Sequence, residues 1–472
     1  MNSSSQTTGL KTLWRVSYPM MLTYLSTMFM IFVDRLFLSW YSTQTFNAAV
    51  QAGTMGWGFL VGVATLVAMS EVFVAQYNGS GQFDKISKPV WQMAWVGLFS
   101  TVFFVLAGIW VSPLIYPPEV APHAYDYFRY ILYFGPAIIL IHAFNGFYVG
   151  RATTKVIQWL TILGNVVNVI LDPIFIFGWG PIPTMGAKGA AIATGIGSLV
   201  QLFVLISLFL SKKNHERYAT RALSFDFPLI VRLCKIGLPP AVFVSLELLG
   251  WGIFYNLMAR IGPTHIFVAS VCQSILLLFL AFGMGLEKGV IALSGNFIGA
   301  GTINKIKGIV RASMIMIWSF TALTVLFLIL FPDFIIRFFI NDPAAFDLFT
   351  TGADFSTMIG EVTPLIKLCL VFVTFYILFE NIRYVISGIL TAAGDTLFLL
   401  LSGSLSLWFF LLVPAYVISY FPELSVSYSF FIWLVYSLVS LLIVVVRYSM
   451  NKWKSKTVIA ESTPIPTSET QT

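Results

Sequence analysis

Long apolar stretches fill the chain from Leu13 to Tyr448, and short breaks rich in proline, glycine or charge separate them. Each stretch has roughly 20 or more residues, which is enough to cross a bilayer core of about 30 Å. The pattern predicts an all-α integral membrane protein with twelve transmembrane helices. The predicted spans are residues 13–41, 46–78, 89–112, 124–150, 156–180, 186–211, 228–260, 264–299, 306–331, 360–389, 396–420 and 425–449.

Composition excludes a soluble domain, because 58% of the 472 residues are apolar and only 10% are charged. A typical soluble domain has about 25% charged residues. We therefore expect membrane lipid to surround the protein. The net charge of +7 does not indicate a nucleic-acid partner, because in a chain that spans a membrane the placement of the basic residues matters more than their sum. The three cysteines lie in apolar stretches and are interpreted as core residues.

Basic residues are concentrated in alternate loops, which by the positive-inside rule face the cytoplasm. The prediction is a plasma (inner) membrane protein with both termini in the cytoplasm. The intervening loops are acidic or poor in basic residues, and their acids are Glu119, Asp333, Asp342, Asp347, Asp354 and Glu423. The basic loops contain Lys85, Lys88, Arg151, Lys155, Lys212, Lys213, Arg217, Arg221, Lys305, Lys307, Arg311, Lys452, Lys454 and Lys456.

An offset of 220 residues aligns the second half of the chain with the first. It matches Pro19 with Pro239, Gly79 with Gly299, and Lys85-Ile86 with Lys305-Ile306. Each half has an even number of spans, so the two halves are related by an axis along the membrane normal. The predicted domains are an N-terminal six-helix lobe (1–211), a basic cytoplasmic linker (212–227), a C-terminal six-helix lobe (228–450) and a disordered cytoplasmic tail (451–472).

Ionisable residues inside the bilayer are costly and therefore mark candidate functional sites. Asn165, Asn168 and Asp172 share one face of the fifth predicted helix. Asp34 and Thr194 are expected at the depth of Asp172, in the outer half of the first lobe. These oxygens could bind Na⁺, or a carboxylate could hold H⁺. The alternative is that they only join neighbouring helices by hydrogen bonds. The six intramembrane acids are Asp34, Glu71, Asp172, Glu247, Glu287 and Glu380.

The second lobe contains two further buried acids, Glu247 and Glu380, with Tyr376 one turn before Glu380. Arg383 lies at i+3 from Glu380 and could be its counter-ion, which would make the pair structural. Glu71 has no evident partner in the sequence, and both a functional and a structural role stay open. For Glu287, which is adjacent to Lys288, we favour a structural role.

These residues resemble the MATE family, and within it the NorM branch, over nearly all of residues 10–450. The resemblance implies two six-helix lobes in a V, cation coupling and export of organic cations. It implies a first-lobe cation site at Asp34, Asn168, Asp172 and Thr194, and a second-lobe site at Glu247, Tyr376 and Glu380. Two departures are Leu390-Thr391-Ala392, where Leu-Arg-Gly is usual, and Arg383, where a neutral polar residue is common. The matching motifs are Pro19 with Val33-Asp34, Gly79-Ser80-Gly81, Asn168 with Asp172-Pro173, Gly189 to Thr194, Gly237-Leu238-Pro239 before Glu247, and Ala393-Gly394-Asp395-Thr396.

The resulting hypothesis is a secondary active multidrug efflux transporter that exchanges organic cations or other amphipathic drugs for Na⁺ or H⁺. We expect a monomer with no cofactor besides the coupling ion. The alternative is a flippase for lipid-linked sugars, whose cavity would need arginine and lysine for a pyrophosphate group. A membrane-embedded enzyme is disfavoured, because the sequence has no HExxH or GxSxG motif.

Overall fold

The computed structural model describes residues 9–334, 336, 355–421, 424 and 426–459. Within these ranges twelve helices are long and apolar enough to cross a membrane. They are α1 (Leu10–Tyr41), α2 (Thr43–Gly79), α3 (Phe83–Ile115), α4 (Pro122–Gly150), α5 (Lys155–Ile176), α6 (Ala187–Phe209), α7 (Phe227–Ile261), α8 (Thr264–Gly299), α9 (Ile303–Leu330), α10 (Val362–Ala392), α11 (Thr396–Ile418) and α12 (Ser427–Ser449).

The predicted spans agree with these helices to within a few residues, and the all-α fold with twelve spans is confirmed. The fifth helix is shorter than predicted, because it ends at Ile176. Gly178 then takes a positive φ of 82°, and Trp179 pairs with Ile182 in a tight turn. Asp342, Asp347, Asp354 and Glu423, which contributed to the predicted orientation, lie outside the described residues.

The helices form two six-helix bundles with matching internal packing. In the first bundle α4 packs against α2, α3 and α6, and α1 packs against α5. In the second bundle α10 packs against α8, α9 and α12, and α7 packs against α11. The local geometry repeats as well, since α3 and α9 each contain a π-helical turn, at Ala107–Val111 and at Leu326–Leu330.

The two lobes touch through α1 against α8 and α2 against α7, and α2 also crosses α8. At that crossing a β-carbon on Gly79 would collide with the carbonyl oxygen of Asn296, and one on Gly299 with that of Gln76. Only glycine allows the two backbones to approach so closely. This contact lies next to the basic α2–α3 and α8–α9 loops.

Two matching hydrogen bonds reinforce this end of the lobe interface. The side-chain amide of Asn296, in the second lobe, donates to the carbonyl of Gly150 at 2.8 Å. The side-chain amide of Gln76, in the first lobe, donates to the carbonyl of Ala392 at 2.8 Å. Each lobe thus bonds the last turn of the fourth helix of the other lobe, and the lobes are closed at the end that carries the basic loops.

The predicted disordered tail is wrong for residues 451–459. Trp453 is buried, stacks on Tyr448 at 5.3 Å between ring centroids, and donates its indole hydrogen to the Tyr448 carbonyl. Val458 and Ile459 are also buried. These three apolar side chains are buried although the tail as a whole has a polar composition, which is why the sequence predicted disorder. Residues 460–472 lie outside the described part.

The basic linker is also ordered and includes a short helix, Lys212–Tyr218. Its remaining residues lie against α3, where the indole of Trp91 donates to the Thr220 carbonyl at 2.8 Å and the amide of Gln92 donates to the Ser224 carbonyl at 2.9 Å. The linker therefore packs on the first lobe before the chain enters α7.

Candidate cation site and buried ion pairs

Four polar side chains from α1, α5 and α6 meet inside the first lobe. The amide nitrogen of Asn168 donates to the Thr194 hydroxyl at 3.2 Å and to Asp172 Oδ1 at 3.4 Å. The Thr194 hydroxyl lies 3.5 Å from Asp34 Oδ2 and also bonds the Ala190 carbonyl at 3.0 Å. The structure therefore brings together Asp34, Asn168, Asp172 and Thr194, as their estimated depths suggested.

Two glycines permit this arrangement by letting α5 and α6 approach closely. A β-carbon on Gly197 would lie 2.6 Å from the Gly164 carbonyl oxygen and 3.3 Å from the β-carbon of Asn168. Such a distance is too short for any larger residue. The close approach places Asn168 within reach of Thr194, and Asp172 follows on the same face of α5 one turn later.

The carboxyl groups of Asp34 and Asp172 are both buried, and they are linked through Thr194, which lies next to Asp34, and Asn168, which donates to Asp172. Two ionised carboxylates in one buried cluster would repel each other, and a proton or a cation would relieve this repulsion. Three further oxygens, Asp34 Oδ1, Asp172 Oδ2 and Asn168 Oδ1, accept no hydrogen bond from any described side chain or backbone group. Buried acceptors of this kind need a proton or a cation to compensate for the loss of water.

The donor set is compatible with a small hard cation, since it consists of carboxylate, amide and hydroxyl oxygens. Arg35, the chain neighbour of Asp34, is exposed, and among the described residues no ion pair joins it to Asp34. Asn165 does not join the cluster, although it shares a face of α5 with Asn168. Its amide instead donates to the Ser26 hydroxyl on α1 at 2.8 Å.

In the second lobe Glu380 is bound by Arg383 rather than free. The Nε of Arg383 lies 2.9 Å from both carboxylate oxygens of Glu380, and the two side chains are 11% and 2% exposed. Tyr376 is buried beside Trp433, with ring centroids 5.8 Å apart. Glu247 is half-buried and lies within electrostatic range of both Arg383 and Glu380. None of the ion pairs found in the described residues includes Glu247.

The sequence left both a functional and a structural role open for Glu71, and the structure gives it an ion-pair partner. Lys288 Nζ, on α8 of the second lobe, lies 2.7 Å from Glu71 Oε1, on α2 of the first lobe. The helix of α2 is interrupted at Met69, whose amide bonds the Leu66 carbonyl, and Glu71 lies in the first turn of the segment that follows, Ser70–Gly79. The pair joins residues 217 positions apart. Sequence spacing offers no signal for such a contact.

Glu287 differs from Glu71 in its surroundings. If Gly388 on α10 had a β-carbon, that carbon would lie 3.3 Å from Glu287 Cγ. Glu287 therefore packs against α10. Lys288 and Arg383 are both within its electrostatic range. Because Lys288 contacts Glu71 and Arg383 contacts Glu380, each of these bases already has a carboxylate partner. The described second lobe and its interface with the first thus contain more buried acids than bases.

A family model named MatE matches residues 19–174 and 240–417, which together are more than half of the chain and include parts of both lobes. The chain belongs to the MatE family. The resemblance to the MATE family is thereby confirmed, and this MatE protein is a transporter rather than an enzyme.

Solved structures have the same fold at low sequence identity. One is described as an outward-facing conformation of a multidrug resistance MATE family transporter of the MOP superfamily. It is 17% identical over 97% of this chain and 100% of that chain, with a TM-score of 0.78. Another is a MATE in complex with MaL6, 18% identical over 94% and 96% of the two chains, with a TM-score of 0.79.

A third structure with this fold is a MOP superfamily transporter from Pyrococcus furiosus Vc1 (DSM3638). It is 16% identical over 95% of this chain and 98% of that chain, with a TM-score of 0.78. Its description states that the reverse polarity of its binding pocket suggests a different function.

Proposed function

We propose that this MatE transporter is a secondary active exporter, which moves organic cations or other amphipathic drugs out of the cell in exchange for Na⁺ or H⁺. The observation that carries the proposal is the buried pair of acids, Asp34 and Asp172, with acceptor oxygens that no described protein group satisfies. A cation or a proton bound between them would neutralise the site. Asn168 and Thr194 would complete the oxygen ligands of Na⁺ or orient the carboxyl group that holds H⁺.

The orientation follows from the basic loops, which we place in the cytoplasm together with both termini. The described lobes are closed at that end, by the glycine crossing and the amide bonds of Gln76 and Asn296. This conformation would be the one open to the outside. A cation entering from outside would reach Asp34, near the outer end of α1, while drug leaves through the same opening.

The charge of the interior supports a cationic cargo. Glu247 and Glu287 are half-buried acids of the second lobe that no ion pair joins to a base among the described residues, whereas Arg383 holds Glu380. Glu287 packs against α10 at Gly388. We infer that Glu247 is the second-lobe acid available to an organic cation, and that Glu380 and Tyr376 support it structurally. The buried bases Lys288 and Arg383 are both paired, which disfavours a flippase that would need free bases for a pyrophosphate group.

The test uses Asp34→Asn, which removes the charge with little change of volume, and Asp84→Asn as the matched control, because Asp84 is exposed in the first turn of α3. Purified variants are reconstituted in liposomes, and efflux of ethidium is followed under an imposed Na⁺ gradient and, separately, under a pH gradient. We expect Asp34→Asn to fold but to lose efflux, and Asp84→Asn to resemble the parent.

Normal efflux by Asp34→Asn would remove Asp34 from the coupling site. Loss of folding together with efflux would favour the alternative, in which the cluster only joins helices. A parent protein that moves no dye under either gradient would contradict antiport of organic cations. The gradient that drives efflux identifies the coupling ion.

A further inference from the structure

We propose that residues 456–459, hereafter the tail segment, bind across the two lobes at their closed end and hold the transporter in the outward-open conformation. The proposal rests on the proposed function for its orientation and for alternation between two conformations. It assigns a role in controlling that alternation to a part of the chain that lies outside both lobes.

One side of the tail segment binds the second lobe. Lys456 Nζ lies 2.6 Å from Asp395 Oδ1, and Arg447 on α12 lies 2.7 Å from the other oxygen, Asp395 Oδ2. Asp395 is in the short turn between α10 and α11. Burial alone would raise the pKa of Asp395, but its hydrogen bonds to Arg447 and Lys456 outweigh burial and lower it. The carboxylate therefore stays charged at neutral pH.

The next two residues bind the first lobe through a single side chain, Gln76 on α2. The Thr457 hydroxyl donates to Gln76 Oε1 at 2.8 Å, and the Val458 backbone amide donates to the same oxygen at 3.0 Å. The amide nitrogen of Gln76 meanwhile donates to the Ala392 carbonyl of the second lobe at 2.8 Å. Gln76 thus joins the first lobe, the second lobe and the tail segment at one point.

Apolar contacts extend this attachment. Val458 and Ile459 are each 7% exposed and belong to the same buried apolar cluster as Tyr77 of α2 and Leu233 of α7. If Gly394 had a β-carbon, that carbon would lie only 2.7 Å from Val458 Cγ1. Gly394 also has a positive φ of 80°. Glycine at this position therefore both forms the α10–α11 turn and leaves room for the tail segment.

The tail segment leaves the two lobes little room to move apart at this end. Lys456 is bound to one lobe and Thr457 to the other, and consecutive Cα atoms are about 3.8 Å apart. If the lobes separated at this end by more than a few ångströms, either the Lys456–Asp395 pair or the bonds to Gln76 would have to break. The opposite conformation therefore requires release of the tail segment from one lobe.

The test compares two truncations of the full chain. The first ends at Ser455 and removes the tail segment, and the second ends at Ile459 and is the matched control, because it removes only residues 460–472. Spin labels are placed on cysteines at Asp84 and Asn304, which are exposed at the matching first turns of α3 and α9, after the three native cysteines are replaced by alanine. The distance between labels is measured by pulsed electron resonance, without drug or ion gradient.

We expect the chain ending at Ile459 to keep the distance distribution of the full chain, and the chain ending at Ser455 to gain a population at longer distance. An unchanged distribution in the chain ending at Ser455 would overturn the proposal. If that truncation does not fold, Val458→Asp in the full chain replaces it, with Ser455→Asp as the exposed control, and the same two outcomes apply. The measurement does not depend on export, so a parent without dye efflux would refute the proposed function and leave this result intact.

Discussion

The Glu380–Arg383 pair allows a quantitative test of whether an intramembrane acid is structural or takes part in transport. The guanidinium of Arg383 contacts both oxygens of Glu380, and the carboxylate is almost completely buried. Two other acids, Glu247 and Glu287, lie within electrostatic range of Arg383. The substitution Arg383→Gln would leave Glu380 buried without its counter-ion and would remove the positive charge that the other two acids experience.

The expected loss is the cost of leaving one member of a buried pair uncompensated, about 3–5 kcal/mol. At roughly 1.4 kcal/mol for each factor of ten, this lowers the folding equilibrium constant by between about 10²-fold and about 4 × 10³-fold. Glu380→Gln should be less damaging, because arginine can direct its hydrogens to the amide oxygen. The double variant Glu380→Gln with Arg383→Gln should recover part of the loss, since it buries no unpaired charge.

The measurement is reversible unfolding in mixed detergent micelles, followed by tryptophan fluorescence for the parent, both single variants and the double variant. Arg311→Gln on α9 is the control, because Arg311 is exposed in the same lobe. An Arg383→Gln protein as stable as this control would refute a structural ion pair. A folded Glu380→Gln protein that binds drug without exporting it would show that Glu380 takes part in transport.

Two further predictions concern the lobe interface and the orientation. Lys288→Met should leave the nearly buried Glu71 unpaired and lower the unfolding free energy by a similar amount, about 3–5 kcal/mol. Adding Glu71→Leu should restore most of that stability in the same unfolding assay, and simple addition of the two losses would show that the residues do not interact. A single cysteine at Asn214, in the linker helix, should react with an impermeant maleimide only after the cells are opened, because we place the linker in the cytoplasm. Labelling in intact cells would reverse the orientation.

Sequence patterns predicted the fold well because hydrophobic length and loop charge are properties of neighbouring residues. The grouping of Asp34, Asp172 and Thr194 could also be predicted, since each residue's distance from its helix end gives a depth in the bilayer. Rotation about the helix axis is harder to predict. Asn165 lies on the same face of α5 as Asn168, but it points towards Ser26 on α1 rather than into the cluster.

Contacts between lobes were beyond sequence reasoning, because they depend on how the two bundles are placed. Lys288 and Glu71 lie on helices of different lobes, and no regular sequence spacing relates such residues. Glu71 therefore had no evident partner in the sequence. The tail segment was missed for a different reason. Its two buried apolar residues, Val458 and Ile459, lie in a polar stretch of sequence. They are buried by contacts with helices of both lobes, and the local sequence does not indicate these contacts.

The crossing of Gly79 and Gly299 places the same residue of each repeat against the other repeat. An ancestral homodimer of six-helix chains, inserted in one direction, would have made both contacts with a single glycine. Once the two copies are joined in one chain, the two residues at every other pair of equivalent positions can be substituted independently. Phe254 shows the result, because it lies 220 residues after Asp34, is fully buried and has no carboxylate to hold Na⁺ or H⁺. Gene fusion would thus have allowed the position of Asp34 to hold an acid in one half while the equivalent position of the other half became part of an apolar cluster.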